Sequence, residues 1–307
     1  MENAIELQEL TKTYGTRRGL SGLTLNVRVG EVFGFLGPNG AGKSTTIRLL
    51  LDLIRPTSGS AVVLGLDPHA DGSRLRAQVG YLAGDFVCDG RQNVCGYLRF
   101  LAALRGGVPQ KRIDGLADRL GLDQSVRIKK LSKGNRQKVG LVQAFMHSPP
   151  LLVLDEPTSG LDPLVQQTFL DLVAEAAAGG QTVFMSSHVM SEVEAVADRV
   201  GIIRDGRLVA LDTVAALRAG AVRDIEVTFA DPVTADSFAG VDGRLHLDAA
   251  GTTLTGQVTG SPDALVKALA AYTVTGLRAT EPALEELFHS YYEGAGAAPR
   301  TTTGQPA

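Results

Sequence analysis

The run Gly37-Pro38-Asn39-Gly40-Ala41-Gly42-Lys43-Ser44-Thr45 constrains this chain more than any other segment. It fits the spacing G-x-x-x-x-G-K-[ST], a loop whose backbone wraps a phosphate. The context fits as well. Val32-Phe33-Gly34-Phe35-Leu36 leads in as a buried apolar strand. Residues 44–53 lead out as an amphipathic helix, with Ile47, Leu50, Leu51 and Ile54 at helical spacing. Glycine lets the chain curl around an anion. The loop N–H groups and the helix N-terminus then point at the phosphates. Lys43 is placed to reach β- and γ-phosphates, and the Ser44 hydroxyl to ligate Mg²⁺. A strand, this loop and a helix in series predict a phosphate-binding α/β domain.

The chain has 307 residues, more than one compact core of ordinary size holds, so two domains are expected. Hydrophobic residues make up 44% and charged residues 21%, as in soluble globular proteins. A net charge of −3 gives no footprint for nucleic acid. No apolar run approaches the roughly 18 residues of a membrane span. The start, Met1-Glu2-Asn3-Ala4-Ile5-Glu6, is acidic and unlike a signal peptide. A cytosolic location is therefore expected, with Cys88 and Cys95 as free thiols.

Apolar runs predict strands at 5–10, 23–29, 32–36, 60–64 and 79–82, and again at 151–154, 182–186 and 200–203. Between them, Val94, Tyr97, Leu98, Leu101 and Leu104, then Ile113, Leu116, Leu120 and Leu122, recur at helical spacing. This predicts a helical insertion at about 85–140. Strands alternating with helices imply a parallel sheet covered on both faces. After about residue 218 the pattern becomes that of a small α+β domain, 218–293. It contains strands around Ile225, Leu245 and Leu254, a hairpin turn at Asp248-Ala249-Ala250-Gly251, and a helix begun by Ser261-Pro262-Asp263. A strand at 273–277 and a closing helix at 282–292 complete it. Residues 294–307 lack apolar periodicity and are expected to be disordered.

Leu151-Leu152-Val153-Leu154 ends in Asp155 and Glu156. A strand that delivers two carboxylates beside a phosphate loop suits phosphoryl chemistry: Asp155 for Mg²⁺, Glu156 to polarise the attacking water. Just upstream, the segment Leu131-Ser132-Lys133-Gly134-Asn135-Arg136-Gln137 resembles the L-S-G-G-Q signature of ATP-binding cassette (ABC) ATPases. Tyr14, the phosphate loop, the signature, the acidic strand, Ser159-Gly160-Leu161-Asp162 and His188 follow in that family's order. The resemblance covers about residues 4–215. It implies a P-loop NTPase fold with an inserted helical subdomain, 1–217, and two cassettes, identical or homologous, facing each other head to tail around ATP. It further implies that Tyr14 stacks on adenine and that residues 37–45 hold the phosphates. Ser132, Gly134 and Asn135 would contact the opposite subunit's ATP. His188 would donate to the γ-phosphate, and Asp162 would link the two sites.

Three departures stand out. The family's glutamine after the strand at 79–82 is missing, since the segment reads Ala83-Gly84-Asp85, and Asp85 is expected to take over part of its role at Mg²⁺. Lys133 replaces the signature's first glycine, and Asn135 replaces its glutamine. These variants, with Glu281-Pro282-Ala283-Leu284-Glu285-Glu286-Leu287-Phe288, resemble the ABC-2 class of exporters. That class implies an ATPase subunit at the cytoplasmic face of the membrane, bound to a separate ABC-2 type permease. Its cargo would be a drug, antibiotic or lipid. The permease is expected to dock near residues 84–105, where Phe86, Val87 and Tyr97 are either groove lining or subdomain core. A repair or translation ATPase is disfavoured by the absence of a coiled-coil heptad run and of a second cassette. An importer with a regulatory C-terminal domain fits the signature less well. No N-K-x-D segment reads guanine.

Overall fold

The computed structural model describes residues 2–88, 90–219 and 222–280. The closing helix expected at 282–292 and the tail at 294–307 lie outside the described residues. The chain forms two compact units, and the division falls at Leu211 and Asp212.

The first unit runs β1 (Asn3–Tyr14), β2 (Arg17–Arg28), β3 (Val32–Leu36), α1 (Lys43–Leu50), β4 (Ser58–Val63), α2 (Gly72–Ala77), β5 (Val79–Leu82), α3 (Val94–Leu104), α4 (Gln110–Arg119), α5 (Lys133–Phe145), β6 (Leu151–Asp155), α6 (Pro163–Ala178), β7 (Thr182–Ser187), α7 (Met190–Glu194), β8 (Arg199–Arg204) and β9 (Arg207–Thr213). Two sheets build it. The larger has the order β5-β6-β7-β3-β8-β9, with parallel pairing from β5 through to β8. Its strands β3, β6 and β7 are buried along their whole length, as a doubly covered parallel sheet requires. The smaller sheet, β2-β1-β4, is antiparallel. Along β1 the buried Ile5 and Leu7 alternate with Glu6 and Gln8, which puts one face on the core. Phe184 of β7 lies at the centre of that core, stacked on Phe33 at 5.7 Å between ring centroids and tilted against Phe35 at 5.4 Å.

Several expectations need correction. The strands expected at 5–10 and 23–29 are longer, because polar residues such as Lys12 and Thr13 pair across to β2 without any apolar period. β9 was not expected. It follows β8 through a tight turn in which Asp205 and Gly206 both take positive φ, 50° and 75°. α1 ends at Leu50 rather than at 53, because Asp52 adopts φ 51° and the Leu53 N–H turns back to Arg48 O at 2.8 Å. In α3, Val94 and Leu98 face inward as expected, but Leu104 is 68% exposed.

The second unit contains α8 (Val214–Ala219), β10 (Val222–Phe229), β11 (Gly243–Leu247), β12 (Thr253–Thr259), α9 (Asp263–Leu269) and β13 (Val274–Thr280). Its antiparallel sheet has the order β11-β12-β10-β13. Ile225, Val227, Phe229, Leu254 and Val258 pack against Leu265 and Leu269 of α9. The β11–β12 turn is set by Asp248, whose Oδ1 accepts the N–H groups of Thr252 (2.8 Å) and Thr253 (3.1 Å).

His147 follows α5 and has both ring nitrogens buried without a hydrogen-bond partner. Burial first, then the nearby Arg105 and Arg112, disfavour its charged form and push its pKa from 6.5 down to about 4. The unfolded chain therefore binds more protons between those values. Stability should be unaffected by this group above pH 6.5 and should fall as pH drops from 6.5 towards 4. His147→Gln should flatten that part of the curve, as melting temperature measured against pH will show.

Candidate functional site

The C-terminal ends of β3, β6 and β7 meet at one edge of the parallel sheet, where ligands bind in open α/β folds. β3 delivers the phosphate loop. Gly42 takes φ 117°, a conformation that only glycine adopts freely, and α1 starts immediately after it with no side chain capping its first N–H groups. Those donors, and the macrodipole behind them, face the cleft. Lys43 is buried, and its Nζ donates to Gly37 O at 2.5 Å and Pro38 O at 3.3 Å, so the loop holds its own lysine.

β6 delivers the carboxylates. They lie beside the phosphate loop, as the sequence suggested, although β7 stands between β6 and β3. Ser186 on β7 makes the connection. Its hydroxyl donates to Asp155 Oδ1 at 2.6 Å and accepts the Glu156 N–H at 3.1 Å. Asp155 is buried. Glu156 takes φ 48°, a left-handed turn that swings its carboxylate out of the strand line towards Lys43. Its Oε1 lies 3.1 Å from Lys43 Nζ, an ion pair by distance although Oε1 accepts no well-angled hydrogen bond. Its Oε2 accepts from His188 Nδ1 at 2.6 Å, which puts the hydrogen on Nδ1. One carboxylate thus joins the phosphate-loop lysine to the histidine that follows β7.

Two cavities open here. One, of about 430 Å³, is lined by Tyr14, Gly19, Pro38, Asn39, Gly40, Gly42, Lys43, Ser44, Thr45, Arg48 and Glu156. The other, of about 440 Å³, holds Asn39, Ser44, Arg48, Tyr81, Gly84, Asp85, Asp155, Glu156, Ser159 and His188. The predicted residues of the phosphate loop, Tyr14, both acids, His188 and Asp85 therefore converge on this edge. Gly37 and Ala41 are buried within the loop itself. Tyr14 is 45% exposed, with Lys12 Nζ 5.3 Å from its ring centroid. A Cβ on Gly84 would lie 3.3 Å from Asp155 Oδ2, so this position accommodates no larger side chain without movement. Ser44 and Asp155 share the second cavity, and a hydroxyl with a carboxylate is a hard-oxygen set suited to Mg²⁺.

Ser132, Gly134 and Asn135 line neither cavity. They begin α5, where Ser132 Oγ accepts the Asn135 N–H at 3.2 Å as an N-cap. Asp162 likewise caps α6 through the Val165 N–H at 3.1 Å. Lys133 Nζ donates to Ser159 Oγ at 3.4 Å. Phe86 is half-buried, with its ring against Gly140 of α5, whereas Val87 is 77% exposed.

Sequence reasoning missed several lining or supporting residues, Gly19 in the first cavity among them. Arg48 and Tyr81 line the cavities, and Ser186 and Gln137 hold the acidic turn. The Tyr81 pKa is raised, first by burial and then by Asp155. Arg48 was detectable, because it stands one helical turn beyond Ser44. Ser186 was not, because its role depends on strand order.

Comparison with known proteins agrees with this geometry. The family model described as ABC transporter matches residues 20–159. The probable multidrug ABC transporter ATP-binding protein YbhF of Escherichia coli is 38% identical over 228 residues, 73% of this chain. The chain spans 39% of that relative's length. The bacitracin transport ATP-binding protein BcrA of Bacillus licheniformis is 37% identical over 215 residues, covering 68% of this chain and 69% of its own length. A solved structure of the ATP binding subunit of an ABC transporter superposes with a TM-score of 0.66 at 31% identity, over 70% of this chain and 92% of that one. The chain belongs to the ATP-binding cassette family of transporter ATPases.

Ser186→Ala removes the donor to a buried carboxylate oxygen. It should lower unfolding free energy by about 1–3 kcal/mol in urea titration.

Proposed function

We propose that this chain is the ATP-hydrolysing subunit of an ABC exporter, and that two cassettes close around ATP to drive a separate membrane permease. The observation that carries the hydrolytic reading is the Glu156 carboxylate, held between Lys43 and His188 at the mouth of the phosphate loop. A triphosphate in the loop meets Lys43, Asn39, the Ser44 and Thr45 hydroxyls and the α1 N-terminus. Its adenine stacks on the exposed Tyr14 ring. Glu156, freed from Lys43, accepts the proton of the attacking water, and His188 donates to the γ-phosphate. Ser44 and Asp155, with Asp85 beside them, would hold Mg²⁺, which when bound neutralises phosphate charge.

The pairing of cassettes is supported by the signature residues. They lie at a capped helix start away from this chain's own phosphate cavity, where a second copy or a homologous cassette brings its nucleotide. Export is supported by the multidrug and bacitracin names of the relatives. Among the described residues no helix is long and apolar enough to cross a membrane. An ABC-2 type permease would hold the chain at the cytoplasmic face of the membrane. Val87 and the α3 surface around Phe100 and Leu104 offer it exposed apolar contacts.

Glu156→Gln should lower ATP turnover by roughly 10²–10⁴-fold. ATP should bind as tightly as before, or tighter, because Lys43 loses its competing anion. Undiminished hydrolysis overturns the reading. Asp85→Ala should weaken the dependence of turnover on Mg²⁺ concentration, and an unchanged Mg²⁺ titration removes Asp85 from the site. Gentle extraction of a tagged chain from native membranes should bring down a stoichiometric polytopic protein. A soluble dimer, or ribosomal company, would rule out the exporter.

A further inference from the structure

Glu156 sits at φ 48°, a left-handed conformation that a non-glycine residue keeps only where its surroundings impose it. On one side the restraint is Ser186, which accepts the Glu156 N–H through both its carbonyl (3.2 Å) and its hydroxyl (3.1 Å). On the other side it comes from α5. Gln137 is a polar side chain only 3% exposed. Its Nε2 donates to Glu156 O at 3.3 Å and to Pro157 O at 3.0 Å. Both amide hydrogens therefore hold successive carbonyls of the turn that carries the carboxylate.

The rest of the helix start presses on the same turn. Lys133 stands four residues before Gln137, on the same helical face. Its Nζ reaches Ser159 Oγ, and its stem lies beside Gly160. A Cβ on Gly134 would come within 2.6 Å of Gly160 O, so the helix approaches this turn backbone to backbone. Ser132 is exposed and Asn135 half-buried at the same helix start, whereas Gln137 is buried.

We propose that Gln137 is a positioning residue for ATP hydrolysis: its amide fixes the turn at Glu156 and Pro157, and so aims the Glu156 carboxylate. This rests on the reading of Glu156 as the base. Gln137 lines neither cavity and acts through the backbone that it holds. Displacement of a reacting group by about 1 Å costs on the order of a hundredfold in rate. Loss of both donors is therefore expected to lower kcat by about ten- to a hundredfold, with KM for ATP and nucleotide affinity unchanged.

The test uses the full chain and four proteins: wild type, Gln137→Met, Glu156→Gln and the double variant. Gln137→Met keeps the length and burial of the side chain and removes its donors. If it fails to fold, Gln137→Glu takes its place, with a side chain of the same size that presents acceptors to the two carbonyls. Expected is a fall in kcat at constant KM in the single variant, and no further fall when the substitution is added to Glu156→Gln, since residues acting as one unit are not additive. An equal factor lost in both backgrounds would mean a merely structural role and overturn the proposal. Undiminished kcat in Gln137→Met, with Glu156→Gln inactive, overturns the positioning alone. Full activity in Glu156→Gln overturns the assignment of the base, and the positioning with it.

Discussion

The two halves of the site are built on strands that do not touch, and the hydroxyl of Ser186 is where they are joined. β3 carries the phosphate loop, β6 carries the acids, and β7 separates them. Strands in a sheet stand nearly 5 Å apart, so carboxylates on β6 begin roughly 10 Å from the loop strand. Two devices close that gap. Ser186 holds Asp155 and the Glu156 N–H in register with β7, and the left-handed turn at Glu156 throws its side chain across to Lys43. The contacts of Glu156 with Lys43 and His188 depend on that alignment.

The sequence showed the parts of this site more readily than their arrangement. The phosphate loop, the aliphatic run before Asp155 and the alternation of Ile225, Val227 and Phe229 are local patterns, read from a few consecutive residues. The buried strands β3, β6 and β7 followed from them almost to the residue. Strand order is a long-range property, and nothing in the run at 182–186 says that it lies between the other two. The polar end of β1 was likewise invisible, because Lys12 and Thr13 are held by backbone pairing and by polar contacts to Arg55 and Thr57, with no apolar period. Gln137 stands in plain view in the signature segment. Its importance arises from the two carbonyls it meets, which are 19 and 20 positions away in the chain.

Position 84 illustrates how a departure from the family pattern is read physically. A missing glutamine suggests a lost function. The structure adds that Gly84 backs directly onto Asp155, at a separation that leaves little room even for a methyl group. The Asp155 carboxylate crowds the space a side chain would fill, and the polar surface on that side of the cavity comes from Asp85, Arg48 and Tyr81.

The contact between Lys43 and Glu156 has a consequence for how the cleft meets its substrate. The lysine proposed to meet a phosphate is engaged in this structure by the chain's own carboxylate. Glu156 is in effect an internal ligand that competes for the same cation. An incoming triphosphate must exchange one anion for another, so its apparent affinity is lowered by the stability of the contact it displaces. The same exchange releases the carboxylate only when there is a phosphate for it to serve. On the proposed reading of Glu156 as the base, that base stays silent until a nucleotide sets it free.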